Sequence, residues 1–484
     1  MKIITLTALL FLVSNLCLCQ NLSTDDKEIE QKIDIYLKEV IKVNEIPGAA
    51  LAVIKEGKVI YEKYYGKASL EENKPVDKNT GFRIFSTTKI VTNVGIFQLI
   101  ENGKLTLEDS ISKYLFNLPK QWQHIKVKNL LSHSSGLPNI VAFEDIPITL
   151  PYEKRIEILA TKPMEFTTGD DYRYNQTNYL FLTKIIEKIT GLSFDNYILQ
   201  NQFSDVKSGI RFSSDANDIF SNGGIRYTYN IKTKKYEKGT LNFGIDAHSA
   251  NGLVISLPEF IRWNENLDKN FYLNNETKNE MWKPFQYKNY KGNFAYGWEI
   301  YTLNNLPSFG FTGGNETAFR KFAGRDMTII FLSNGHKYAD LYIQSQVINH
   351  VAGIVDKNFA DDRFLKNEKI NYDFLTLKIQ KATQNYLAVK NNHPDWNFEY
   401  RLNAIGNTLM NHGRLQDAIK IFELNARENP ASGNAFDSLA EGYFNNNQLE
   451  LSKQNYQKAL TLLPENKNAK EMIEKINKLL AVKS

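Results

Sequence analysis

Phe82-Arg83-Ile84-Phe85-Ser86-Thr87-Thr88-Lys89 runs directly into an apolar segment, residues 90–100, which ends at Asn102-Gly103. This pattern predicts a buried helix that opens near Ser86, because an apolar run followed by Asn-Gly is typical of a helix and its end. A serine at a helix start lies beside free backbone N–H groups and the positive end of the helix dipole. Lys89 lies on the same helix face, with its Cβ about 5–6 Å from that of Ser86. A lysine among apolar neighbours loses its proton more easily, so Lys89 is a candidate general base for a Ser86 nucleophile.

The Ser-x-x-Lys spacing is not specific by itself. It also occurs at Ser110 and Lys113 and at Ser204 and Lys207. Only Ser86 combines the spacing with the start of a long apolar run. A purely structural interpretation, with a helix-capping serine and a surface lysine, stays open at this point. The chain has no G-x-S-x-G, H-E-x-x-H or Walker A motif, the usual signatures of other hydrolases and phosphate-binding proteins.

Strand-like segments lie on both sides of this helix in the sequence. Residues 49–55 and 58–66 are joined by Glu56-Gly57, a strong signal for a β-hairpin. Residues 318–322 and 327–333 flank a Gly-Arg-Asp turn. Strands at both ends of a segment with helices between them predict one antiparallel sheet flanked by helices, in a domain of the α/β (α+β) class.

The order of motifs around Ser86 resembles the serine β-lactamase-like or penicillin-binding-protein family over roughly residues 30–335. The motifs that carry the resemblance are Pro47-Gly48-Ala49-Ala50, the Ser86 segment, Gln98-Leu99-Ile100-Glu101-Asn102-Gly103-Lys104-Leu105, Leu130-Leu131-Ser132-His133-Ser134-Ser135-Gly136-Leu137-Pro138, Gly252-Leu253-Val254 and Tyr296-Gly297-Trp298. The family includes class C β-lactamases, D-alanyl-D-alanine carboxypeptidases and related esterases. The resemblance implies the fold of that family and a serine hydrolase that works through an acyl-enzyme.

The resemblance assigns roles to three residues. Ser86 resembles the acylated nucleophile and Lys89 its base. Tyr174, in Tyr172-Arg173-Tyr174-Asn175-Gln176, resembles the tyrosine of the second family motif. Its phenol shares the serine proton and returns it to the leaving group, provided that nearby cations lower its pKa. Gln176 stands where the family usually has an asparagine, and its amide keeps the ability to bond the substrate.

The third family motif departs from the usual pattern. Gly310-Phe311-Thr312-Gly313-Gly314 stands where the family has Lys or His, then Thr or Ser, then Gly. Thr312 therefore remains a candidate substrate-binding residue, whereas Phe311 replaces the cation. The strand backbone survives, so the amides of Ser86 and Gly314 are expected to form an oxyanion hole.

The loss of the cation bears on the substrate. A cation at this position helps to bind a substrate carboxylate, so the sequence favours neutral esters or amides unless Arg320 or Lys321 reaches the site. The alternative is a catalytically silent protein that uses the same pocket for binding. The resemblance also makes His133 a loop-structuring residue rather than a member of a Ser-His-Asp triad. It implies no metal and no organic cofactor.

Residues near the C-terminus repeat at an offset of 34. The matched pairs are Gly406 and Ala440, Leu409 and Tyr443, Ala418 and Ser452, Phe422 and Tyr456, and Pro430 and Pro464. Small, aromatic and proline residues at this period are typical of tetratricopeptide repeats. The sequence therefore predicts an all-α tetratricopeptide array over residues 373–484, after a polar linker at 356–372 and a hydrolase domain at 25–355. The groove of such an array is a candidate surface for a protein partner.

The N-terminus reads as a secretory signal peptide over residues 1–19. A basic start, Met1-Lys2, precedes an apolar stretch at residues 3–13 that is too short to span a membrane. The small residues Cys17 and Cys19 place cleavage before Gln20. We therefore expect a secreted or periplasmic protein without disulfides, with a lipid anchor on one of these cysteines as the alternative.

The composition is that of an ordinary globular protein. The 484 residues are 42% hydrophobic and 23% charged, which excludes collagen-like and disordered classes. Lys and Arg number 59 against 54 Asp and Glu, and no basic cluster stands out. A nucleic-acid partner is therefore not expected.

Overall fold

The computed structural model describes residues 24–204, 209–338 and 341–483. The predicted signal peptide and both cysteines lie outside these ranges. In the described ranges, no helix combines the length and the apolar character needed to cross a membrane.

The first part of the described chain mixes helices and strands. In chain order they are α1 Thr24–Val43, β1 Gly48–Lys55, β2 Lys58–Ser69, β3 Lys74–Pro75, β4 Phe82–Arg83, α2 Thr88–Glu101, α3 Val127–Leu131, α4 Tyr152–Leu159, α5 Gln176–Thr190, α6 Phe194–Gln202 and β5 Arg211–Phe212. They continue as β6 Tyr227–Asn230, β7 Lys235–Lys238, α7 His248–Asn251, β8 Leu253–Ile255, α8 Leu257–Asp268, α9 Asn275–Met281, β9 Glu299–Leu303, β10 Leu306–Gly313, β11 Thr317–Phe322, β12 Met327–Ser333 and α10 Ile343–Val355.

The centre of this part is a seven-stranded antiparallel sheet in the order β3-β2-β1-β12-β11-β10-β9. β1 pairs with β2 on one side and with β12 on the other, so strands from both ends of the segment meet in mid-sheet. The predicted antiparallel sheet is thus confirmed. Glu56 and Gly57 have φ values of 50° and 70°, as a two-residue type I′ hairpin turn requires.

Strand β1 separates two cores. Successive side chains of a strand point to opposite faces of the sheet. The odd-numbered residues from Ala49 to Val53 pack in the core formed with α1 and α10. The even-numbered residues from Ala50 to Ile54 pack in the larger core that surrounds α2. The small side chains of Ala50 and Ala52 leave room for α8, which crosses β1 on this second face.

Helix α2 is buried on almost every side, as its uninterrupted apolar run predicts. It begins at Thr88, directly after a 3-10 turn that spans Phe85–Thr87. It ends at Glu101 with Asn102 as its C-cap, and Gly103 follows with a φ of 66°. A left-handed glycine at this place ends a helix without strain. Ser86 therefore lies at the entrance of a rigid, central helix.

The second part of the chain is a run of paired helices. They are α11 Asp362–Thr376, α12 Ile379–Asn392, α13 Glu399–Asn411, α14 Leu415–Glu428, α15 Gly433–Asn445, α16 Leu449–Leu462 and α17 Lys467–Lys483. Helices α13 and α15 begin 34 residues apart, and so do α14 and α16. A Cβ at Gly406 would lie 2.3 Å from the Phe422 ring, so α13 and α14 approach closely.

Helix α11 connects the two parts of the chain. It covers much of the stretch predicted as a polar linker, residues 356–372. Its Glu368 is 4% exposed and accepts a 2.6 Å hydrogen bond from Tyr36 Oη in α1. The other oxygen of this carboxylate lies 2.5 Å from Nδ1 of His350 in α10. The connection is therefore a packed helix that contacts α1 and α10.

Candidate active site

The 3-10 turn before α2 holds Ser86 in a strained backbone segment. Phe85 has a φ of 45°, which is uncommon for a bulky residue and costs on the order of 1–3 kcal/mol. The strain is held by contacts on either side of Ser86. Thr317 Oγ1 donates to the carbonyl of Ile84 at 2.9 Å, and Thr87 Oγ1 lies 3.1 Å from Thr317 Oγ1. This strain could not be predicted from the sequence, because no residue type signals it.

Lys89 points inward from the first turn of α2. Its side chain is fully buried, and Nζ donates to Ala250 O at 2.8 Å, Gln176 Oε1 at 3.3 Å and Ser86 Oγ at 3.4 Å. Burial lowers the pKa of Lys89 well below its ordinary value, and the carboxyl of Glu299 partly opposes that shift. The alternative of a surface lysine is therefore wrong. A buried amine with a lowered pKa is suited to accept a proton.

Tyr174 contacts the same serine, and its ring lies 4.9 Å from the Lys89 amine. Its hydroxyl donates a 2.7 Å hydrogen bond to Ser86 Oγ. Burial raises the pKa of Tyr174, while hydrogen bonds with Ser86 and Gln176 act in the other direction. The condition that nearby cations lower this pKa is therefore not met. The phenol is neutral at ordinary pH and is suited to pass a proton on rather than to hold a negative charge.

His133 holds the segment that carries Tyr174. Its Nδ1 accepts hydrogen bonds from the backbone N–H of Asn175 at 3.2 Å and from Asn178 Nδ2 at 3.0 Å. Its backbone carbonyl accepts from Arg173 N at 3.0 Å. Burial lowers the pKa of His133 well below its ordinary value, so the ring is neutral. These contacts support the interpretation of His133 as a loop-structuring residue.

The end of strand β10 lies against the turn that carries Ser86. A Cβ at Gly313 would lie 2.1 Å from the carbonyl oxygen of Ile84. Gly314 has a φ of 58°, and a Cβ there would lie 2.7 Å from the Phe85 ring. Glycine is required at both positions by close approach or by conformation. Among the described residues, the Gly314 N–H has no hydrogen-bond acceptor, and Gly314 borders the same cavity as Ser86.

Neither Arg320 nor Lys321 supplies the cation that Phe311 replaces. The Phe311 ring is buried, 6.1 Å from the Tyr174 ring. Arg320 pairs with Glu299 at 3.4 Å, and Lys321 pairs with Asp268 at 2.6 Å. Because both side chains are already bound to carboxylates, neither takes over the role of the missing cation.

Glu299 is a partly buried carboxyl group, 18% exposed, that the sequence did not single out. It accepts hydrogen bonds from the Thr312 backbone N–H at 3.1 Å and the Thr312 hydroxyl at 3.3 Å. Thr312, predicted to bind substrate, is thus bonded to Glu299. Burial raises the pKa of Glu299, and Arg320 acts against that rise. Its place directly after Tyr296-Gly297-Trp298 is the one sequence signal that marks it.

We expect Glu299→Gln to move the acidic limb of the pH profile of kcat/KM to lower pH. The Glu299 carboxylate raises the pKa of Lys89, so its removal lowers that pKa further and Lys89 stays unprotonated in more acidic solution. Ester hydrolysis measured across pH for both proteins checks this. Glu265→Gln, at a surface ion pair in α8, is the control and should leave the profile in place. A limb that stays fixed or moves to higher pH in Glu299→Gln would contradict this electrostatic role.

A Ser-x-x-Lys helix set against an antiparallel sheet defines the fold of serine β-lactamases and penicillin-binding proteins. The chain belongs to the family described as Beta-lactamase, which it matches over residues 35–351. Members of this family are typically serine hydrolases.

Similar proteins agree with this assignment. Protein flp of Staphylococcus aureus (strain NCTC 8325 / PS 47) is 29% identical over 176 residues, covering 35% of this chain and 35% of that protein. This chain thus matches about a third of the length of that relative. The octameric penicillin-binding protein homologue from Pyrococcus abyssi superposes with a TM-score of 0.61 at 22% identity, covering 70% of this chain and 81% of that one. EstCE1, a hydrolase with promiscuous acyltransferase activity, gives 0.56 at 18% identity, covering 67% of this chain and 100% of that one. The two structures share the fold of the first part of the chain.

Proposed function

We propose that this chain is a serine hydrolase that forms an acyl-enzyme at Ser86 from neutral esters or amides. The position of the Ser86 hydroxyl carries the proposal: it lies 2.7 Å from the Tyr174 hydroxyl and 3.4 Å from the amine of a fully buried Lys89. A nucleophile within reach of a base, and a second group that can relay its proton, are what acyl transfer requires.

In the first half of the reaction, neutral Lys89 takes the proton of Ser86 as Oγ attacks the substrate carbonyl carbon. The charge that develops on the carbonyl oxygen is stabilised by the backbone N–H groups of Ser86 and Gly314. Tyr174 gives its proton to the leaving alcohol or amine and regains one from the Lys89 ammonium. The bond to the leaving group then breaks, and the acyl group stays on Ser86.

In the second half, water attacks the acyl-enzyme by the same proton transfers in reverse order. The acid leaves and the Ser86 hydroxyl is restored. Gln176 supports this cycle because its Oε1 accepts from Lys89 at 3.3 Å, so the longer side chain still reaches the amine. This contact favours an active enzyme over a catalytically silent binding protein.

The choice of neutral substrates follows from Phe311. A charge-assisted hydrogen bond contributes about 1.5–3 kcal/mol, so a lost cation weakens recognition of a substrate carboxylate by about 10- to 100-fold. The names of the similar proteins include a penicillin-binding protein homologue and a hydrolase with acyltransferase activity. The apolar Phe311 favours chemistry like that of the hydrolase over recognition of a penicillin, which carries a carboxylate.

We expect the unmodified protein to hydrolyse p-nitrophenyl butyrate with a higher kcat/KM than penicillin G. Phe311→Lys should raise the rate of penicillin acylation by about 10- to 100-fold relative to ester acylation, because it restores a cation for the carboxylate. Phe311→Leu is the control, since it changes packing without adding a charge. Efficient penicillin hydrolysis by the unmodified protein would contradict the substrate assignment.

We further propose that the helices within residues 373–484 form a tetratricopeptide array that binds a protein partner in its groove. The 34-residue period of the helix starts and the close contact of Gly406 with Phe422 support this.

We also propose export of the chain through its signal peptide. A mature N-terminus at Gln20, read by N-terminal sequencing of secreted protein, would support export.

Truncation tests the independence of the array. We expect a chain that ends at Leu377 to stay folded and to react with a fluorophosphonate. A chain that ends at Leu365 loses Glu368, which accepts from Tyr36 and lies beside His350, so its Tm should be lower by at least about 3 °C. Circular dichroism melts and gel-based labelling measure both effects. Loss of labelling in the chain that ends at Leu377 would show that the array braces the hydrolase domain.

A further inference from the structure

A large apolar cavity opens beside Ser86. It has a volume of about 460 Å³, and Ser86, Gly314 and Gln176 are among the residues that border it. The remaining wall is mostly hydrocarbon, from segments far apart in the sequence, with Phe143, Ile146, Leu180 and Phe243 among the lining side chains. The volume lies in the range of sites that enclose a whole small molecule. The cavity is therefore far larger than an acetyl group needs.

The charged residues in the cavity wall do not favour an anionic ligand. Arg155 forms an ion pair with Asp246, which also lines the cavity. Arg226 donates from Nε to Glu316 at 2.9 Å. Because each arginine is paired with a carboxylate of this chain, the wall offers a substrate mainly apolar contact.

The position of Tyr174 decides which half of the substrate enters the cavity. Tyr174 donates to Ser86 Oγ and, in the proposed mechanism, protonates the leaving group. Neither Tyr174 nor Lys89 borders the cavity. The leaving group therefore lies on the side of Tyr174, and the acyl group lies on the side of the cavity.

We infer that the cavity is an acyl-chain site and that the substrates are neutral esters of medium-chain acids, with roughly six to ten carbons in the acyl group. This inference rests on the proposed function, because it names the acyl group that Ser86 receives. Each methylene buried in such a site adds apolar contact, which raises kcat/KM by up to about fourfold.

The first test is a series of p-nitrophenyl esters from acetate to decanoate, each used below its micellar concentration. The leaving group is constant, so differences report the acyl site. We expect kcat/KM to rise at least about tenfold from acetate to octanoate. A flat or falling series in an enzyme that hydrolyses acetate would overturn the acyl-chain site and leave the proposed function intact.

A variant that fills the cavity gives a second test. Ala247 lines the cavity and is half-buried, so Ala247→Phe places a ring inside without replacing a core residue. We expect the octanoate-to-acetate ratio of kcat/KM to fall at least about tenfold. Ala323→Phe, in the exposed turn between β11 and β12, is the matched control and should keep the ratio. An unchanged ratio in Ala247→Phe would contradict the site.

A binding measurement separates the two proposals. In the Ser86→Ala protein, methyl octanoate should raise Tm more than methyl acetate at equal concentration, because binding to the folded state stabilises it. Adding Ala247→Phe should remove the difference. If no ester is hydrolysed but this difference is seen, the proposed function fails and the apolar site stands. If neither ester raises Tm, the acyl-chain site is wrong.

Discussion

Ser86→Ala is expected to abolish labelling by a fluorophosphonate and to lower kcat for ester hydrolysis by at least about 10⁴-fold. The reason is that the acyl-enzyme needs an oxygen nucleophile at this place, and no other hydroxyl lies between Lys89 and Tyr174 in the described hydrogen bonds. Mass spectrometry of the labelled protein should place the adduct on the peptide that contains Ser86.

Two matched controls come from the sequence itself. Ser110→Ala and Ser204→Ala change serines with the same spacing to a lysine, and neither serine opens a buried helix. Both variants should label and turn over ester like the unmodified protein. Labelling that persists in Ser86→Ala, or is lost in either control, would refute the assignment of the nucleophile.

Lys89→Met is expected to lower kcat by about 10²- to 10⁴-fold, the usual contribution of a general base. The variant keeps the volume of the side chain and most of its apolar contact, so the fold should be retained. Lys278→Met is the matched control, because Lys278 is also buried and its pKa is also lowered, yet it lies in α9 and donates to Leu267 O. Activity that survives in Lys89→Met would show that another group is the base.

Lys89→Met should also raise Tm at neutral pH. The folded protein holds Lys89 with a lowered pKa, so the unfolded chain binds more protons at every pH between the folded and unfolded pKa values. Burial of Lys89 therefore costs stability, fully below the folded pKa and no longer above the unfolded value of about 10.4. The Tm advantage of the methionine variant should shrink as pH rises through that interval. An advantage that grows with pH would contradict the lowered pKa.

Local patterns in the sequence were sufficient to predict most of the fold. The Glu56-Gly57 hairpin, the buried helix after Ser86 and the antiparallel sheet are all confirmed, because turn residues and apolar runs act over a few neighbouring positions. The family resemblance is confirmed as well. The ordered motifs brought Ser86, Lys89 and Tyr174 together as candidates, and the structure places all three within hydrogen-bonding reach.

The tertiary structure decided the properties that depend on contacts across long sequence distances. The left-handed Phe85 is held from Thr317, and Lys89 receives its carbonyl partner from Ala250. The register of β9, β10 and β11 sets Glu299, Gly310 and Arg320 side by side, which binds Arg320 to a carboxylate and keeps it from replacing the missing cation.

The cavity beside Ser86 is the clearest example of a feature that only the tertiary structure decides. Its walls come from residues 140–148, from α4 and α5 and from residues 241–251, and no one segment shows that it faces Ser86. By itself the sequence determined the family, the nucleophile candidate and the loss of a cation at Phe311, because each depends on short motifs of neighbouring residues. Only the tertiary structure decided the pKa direction of Lys89 and the apolar space open to an acyl chain. Burial and cavity shape depend on how distant segments pack, and that packing has no local signature.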